Sequence, residues 1–62
     1  MRYEIWLDED EGRYWLISSH SIRYDVVTAG KRSSFISESR NECFKWLEER
    51  GLKQGDYNEI YL

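Results

Sequence analysis

The chain contains no proline, a single cysteine, a single histidine and no long apolar run, and each scarcity removes a class of protein. One cysteine cannot close an internal disulfide, and nothing else in the sequence suggests an oxidising compartment. One cysteine and one histidine cannot assemble a tetrahedral zinc site from the usual ligands, so no metal is expected. The N-terminal stretch MRYEIWLDEDEG lacks the apolar core of a signal peptide or a membrane span. Without repeats or low-complexity tracts, the expectation is a compact cytoplasmic protein that does not meet a membrane. Neither GxGxxG nor GxxxxGK[ST] is present, so nucleotide phosphates have no ready cradle and no cofactor is expected.

What the chain does have is aromatic side chains: three Trp, five Tyr and two Phe among 62 residues. A chain of this length forms one domain (residues 1–62) and buries only roughly 60% of its unfolded surface. Large rings partly offset so small a core, and a partner subunit is another usual remedy. Net charge is −3, which argues against strong nonspecific DNA binding. The charge is also graded along the chain. Residues 1–12 hold five acids and one base, residues 13–36 four bases and one acid, and residues 37–62 six acids and four bases.

Ser37–Gly51 reads as a helix. At 100° per residue Cys43 and Leu47 align, flanked by Phe44 and Trp46, while Asn41, Glu42, Lys45, Glu48 and Glu49 fall on the other side. Ser39 with Glu42 fits a capping box, and Ser37 competes as N-cap. Gly51 suits the left-handed C′ position of a Schellman ending, with Leu52 folding back onto Leu47.

The remaining segments read as strands. Arg2–Leu7 and Arg13–Ser18 alternate apolar and polar residues across the turn Asp8–Gly12. Pairing Leu7 with Arg13 puts Tyr3, Ile5, Leu7, Trp15 and Ile17 on one face, and Trp6, Tyr14 and Leu16 on the other. Ile22–Thr28 is β-branched and reads as a third strand. Lys31–Ile36 reads as a short fourth strand or a lead into the helix, and Tyr57–Leu62 as a closing edge strand with Ile60 and Leu62 inward. The expected fold class is α+β: a two-layer, antiparallel sheet of three to five short strands with one helix packed on one face. In outline this order resembles the N-terminal half of HicB-type antitoxins and the three-stranded sheet-plus-helix domain that phage integrases use on DNA. The resemblance is one of fold outline only and transfers no site residue, since no diagnostic motif of either family is present.

One helix covers one face of a sheet, which leaves apolar side chains on the other. The expected function is therefore non-enzymatic binding of a protein partner, as a regulator or inhibitor of the kind a phage or mobile element encodes. Trp6, Tyr14 and Leu16 are the expected anchors, and Asp8, Glu9, Asp10 and Glu11 a charged rim. A homodimer mate is a second expected occupant of the same face. The alternative is nucleic-acid binding by a basic stripe of Arg13, Arg23, Lys31 and Arg32 interleaved with Tyr14, Trp15 and Tyr24. The acidic turn fails as a calcium loop, because Gly12 comes at position five and Ser19 at position twelve. His20 near Asp25 lacks the nucleophile turn and oxyanion hole that Ser-His-Asp chemistry needs, so no catalytic residue is expected. Cys43 reads as a small buried apolar side chain.

Overall fold

The computed structural model describes the backbone of residues 2–19 and 24–61, with side-chain surroundings for 2–18 and 26–60. His20, Arg23 and Leu62 lie outside the described residues. The elements run β1 (Arg2–Asp8), β2 (Arg13–Ser19), α1 (Tyr24–Thr28), β3 (Lys31–Ser37), α2 (Arg40–Glu48) and β4 (Asn58–Tyr61). The four strands form one sheet in the order β3-β1-β2-β4. The β1–β2 and β1–β3 pairs are antiparallel and β2–β4 is parallel, so the sheet is mixed rather than purely antiparallel.

The hairpin closes one residue tighter than the alternation suggested. Asp8, not Leu7, lies opposite Arg13, leaving a four-residue loop, Glu9–Gly12, closed by Gly12 N–H donating to Asp8 O at 2.7 Å. Gly12 takes φ 66°, a conformation that a residue without a Cβ adopts at little cost. Side chains alternate with period two, so a one-residue slip carries a whole strand to the opposite face. Tyr14 and Leu16 therefore join Tyr3, Ile5 and Leu7 on one face, while Trp15 and Ile17 join Glu4 and Trp6 on the other.

The first of these faces receives α2. Ile5, Leu16, Cys43, Leu47 and Tyr57 form the core, with Tyr3, Tyr14, Phe35, Phe44, Trp46 and Leu52 packed around it. The helix starts where the capping residues predict. Ser39 Oγ accepts from Glu42 N–H at 3.4 Å, and the reciprocal arm runs through Ser37. Ser37 Oγ accepts from Ser39 N–H at 3.0 Å and donates to the Glu42 carboxylate at 2.7 Å. At the other end Leu52 N–H reaches Leu47 O (3.1 Å) and Gly51 N–H reaches Glu48 O (2.9 Å), the two bonds of a Schellman ending, with Gly51 at φ 76°.

The expected third strand, Ile22–Thr28, is a correction. Its described part, Tyr24–Thr28, is a short helix despite its β-branched residues, and Lys31 Nζ donates to its Val27 carbonyl at 2.8 Å. Topology explains the override. β2 and β3 are both antiparallel to β1 and so parallel to each other, and parallel strands require a crossover rather than a hairpin. The chain crosses β1 from β2 to β3, then returns through α2 from β3 to β4 on the far edge. Two crossovers of one hand that run in opposite directions pass over opposite faces. With α2 on the Leu16 face, α1 belongs on the Trp15 face. Lys31 agrees, since its ammonium sits 4.5 Å over the Trp15 ring while bonding the α1 carbonyl. Ile17, on that face, has no exposure. The three consecutive hairpin strands on which the outline likeness to antitoxin and integrase domains rested are thus replaced by a β-β-α-β-α-β order.

Candidate functional site

The new register divides the three expected anchors. Leu16 is 2% exposed beneath α2, and Tyr14 meets Trp46 edge to face with ring centroids 5.3 Å apart. Trp6 is separated from both by the thickness of the sheet and stays half-buried on the opposite face.

Around Trp6 the sheet presents a built environment. Glu4, two residues earlier on β1, is 1% exposed. Its carboxylate accepts from Trp6 Nε1 at 3.3 Å and from Arg2 Nε at 3.0 Å. A carboxylate removed from water must be met by donors, and here the donors include an indole and a guanidinium on the same strand face. On the neighbouring strand Ser33 lies opposite Trp6, and Ile36, opposite Glu4, is 51% exposed. The pairing of β1 with β3 shifts between Ile5 and Trp6, which leaves Ser34 as an unpaired bulge residue. Val26 on α1, at 76%, is the other exposed large apolar residue among those described.

The acidic turn is ordered from within. Asp8 Oδ1 accepts from Asp10 N–H at 3.1 Å and from Glu11 N–H at 3.3 Å, the way a short acidic side chain closes a turn. Asp8 thus serves the loop, while Glu9, Asp10 and Glu11 project into solvent. Arg32 Nε stands 3.9 Å from the Glu9 carboxylate with both side chains exposed, an arrangement that contributes little in water.

Of the expected basic residues, Arg23 lies outside the described residues, Arg13 and Lys31 stand opposite Asp8 from either side on the Trp6 face, and Arg32 lies on the other face. Arg13 donates to Asn58 Oδ1 at 3.0 Å and to Gly55 O at 2.8 Å, binding the hairpin to the start of β4 and to the loop before it. Lys31 is held by Val27 O and the Trp15 ring. Arg32, apart from its long contact with Glu9, reaches outward from the sheet edge on the Leu7 face.

Ile36 is the exposed residue that the sequence reading passed over. Its signal was modest: it directly follows Phe35 at the end of a serine-rich stretch, so no alternation assigns it a face without the Ser34 bulge. Cys43 is buried, and loss of hydration with the nearby Glu42 charge pushes its thiol up to about 11. No group of three or more metal-ligating side chains gathers among the described residues, and none of their helices is long and apolar enough to cross a membrane. Comparison with protein-family models, with curated proteins and with solved structures gave no match.

Proposed function

We propose that this chain is a non-catalytic protein-binding module, a small regulator or inhibitor, that seats a partner on Trp6 and steers it with Glu9, Asp10 and Glu11. The observation that supports this reading is the buried Glu4 carboxylate holding a half-exposed indole. A side chain fixed before the partner arrives loses little rotamer entropy on binding, and Trp is among the residues that dominate binding energies. Tyr14 and Leu16 act behind this surface, as the packing that supports β1 and β2. The three tip carboxylates lie at the end of the strand that carries Trp6, where they attract basic side chains during encounter and chiefly set the association rate.

The test is capture from a lysate of the source cells on immobilised protein, followed by titration with the purified captured partner. Trp6→Ala is expected to weaken binding by roughly thirtyfold, the size of a hot-spot loss of about 2 kcal/mol. Neutralising Glu9, Asp10 and Glu11 together is expected to slow association and flatten its salt dependence. Equal recovery by wild type and Trp6→Ala removes the assignment. Retention of DNA or RNA with an affinity that falls steeply with salt replaces it with the nucleic-acid alternative.

A further inference from the structure

The outer edge of β3 is self-complementary, and we propose that two copies of this chain pair antiparallel along it, joining their sheets into one of eight strands. Among the described strands β3 lies at one end of the sheet, with β1 on its inner side. Unpaired edge strands template pairing with another chain unless something blunts them. A two-fold axis normal to the sheet keeps each face on its own side, so residues that meet across it must share a face. The bulge at Ser34 fixes which ones do. Arg32 and Ser37 both point to the α2 face, opposite Leu7 and Tyr3, whereas Ser33 and Ile36 both point to the other, opposite Trp6 and Glu4. Pairing Arg32 with Ser37 and Ser33 with Ile36 satisfies both faces in a single register, with the two bulges meeting at the axis.

That register also matches charge and hydrophobicity. Ser37 Oγ donates to the Glu42 carboxylate at 2.7 Å, so the α2 face at this end of the edge carries an anion. Ser37, Glu38, Ser39 and Glu42 line an open hollow of about 650 Å³ at this end of the edge, together with Ile36 and with Arg2, whose Nε is bound to the Glu4 carboxylate on the opposite face. Arg32, 72% exposed and only loosely engaged by Glu9, lies at the other end on the same face. The two-fold axis brings the Arg32 guanidinium of each copy to the other copy's Ser37–Glu42 hollow, so the contact is made twice. On the opposite face the exposed Ile36 is covered by the second copy at Ser33. A bulge and a cation at an edge discourage indiscriminate pairing. Here they select one partner, the strand that carries the matching bulge and the opposite charge.

Sedimentation equilibrium of the full chain, with circular dichroism to confirm folding, tests this. Wild type is expected to dimerise as concentration rises. Arg32→Glu and Glu42→Arg are each expected to weaken the dimer at least tenfold, since each places like charges at both ends. Mixed in equal amounts the two variants regain dimer, because each then supplies the charge the other lacks. Glu42 also caps α2, so Ile36→Asp provides a variant that leaves the cap intact, and it too is expected to be monomeric. A wild type that stays monomeric at millimolar concentration overturns the proposal. So does a dimer indifferent to Arg32→Glu or Ile36→Asp, or a mixture of folded variants that regains nothing. None of these readouts depends on the partner that binds Trp6.

Discussion

Leu16→Ala tests the register from which the positions of all the surface residues follow. Leu16 is 2% exposed, lies across from Ile5, and belongs to the cluster with Cys43, Leu47 and Tyr57. Truncating a leucine so placed costs about 2–5 kcal/mol, the lost transfer energy plus the cavity left behind. A domain of 62 residues at 0.05–0.15 kcal/mol per residue has about 3–9 kcal/mol in all. The substitution thus removes a large fraction of the folding free energy. Even a loss of about 2 kcal/mol lowers Tm by roughly 8–16 °C in a domain this small. Urea unfolding followed by tryptophan fluorescence and far-ultraviolet circular dichroism measures it directly. Val26→Ala is the control, an aliphatic truncation at 76% exposure that should stay within about 0.5 kcal/mol. If Leu16→Ala also cost no more than about 0.5 kcal/mol, Leu16 would face water and the Leu7–Arg13 register would be the correct one.

Other consequences follow from the helix and its cysteine. Ser39→Ala removes the N-cap acceptor and should cost about 1 kcal/mol, read as a lower midpoint in thermal unfolding. Gly51→Ala forces a Cβ into φ 76° and should cost roughly 1–2 kcal/mol, although nothing within 4 Å obstructs that Cβ. The Cys43 thiol, pushed up from 9.0 to about 11 first by burial and then by Glu42, ionises more readily in the unfolded chain. Its contribution to stability is whole below pH 9.0 and is lost as pH rises toward about 11. Stability measured across that window should fall more steeply for wild type than for Cys43→Ala. At pH 8 a thiol reagent should label Cys43 slowly in buffer and rapidly in urea.

Much of α2 was legible in the sequence because its determinants are local. Ser39, Glu42, Gly51 and Leu52 lie within a turn of the ends they fix, and the Cys43–Leu47 stripe is visible at helical spacing. The alternation of β1 and β2 was legible for the same reason, whereas Lys31–Ile36 stayed open between a strand and a lead into the helix, and Tyr57–Leu62 was open as well, until the sheet pairing made them β3 and β4. At the candidate site, Trp6 and the projecting carboxylates of the tip could be singled out by residue type alone. Which face Tyr14 and Leu16 share could not, because it turns on whether the loop holds four residues or five. Hydrophobicity does not decide that when both faces of β2 are apolar; the Gly12–Asp8 bond and the packing of α2 do.

The amino-acid sequence by itself determined one small α+β domain, a capped helix with a narrow apolar stripe, and a hairpin with an acidic tip. Tertiary structure alone decided that Tyr24–Thr28 is helical, that β3 sits beside β1 rather than β2, and that β4 runs parallel to β2. The reason is that strand order and crossover path depend on residues far apart in the chain. Local β-propensity at Val26, Val27 and Thr28 is worth less than the connection two parallel strands require.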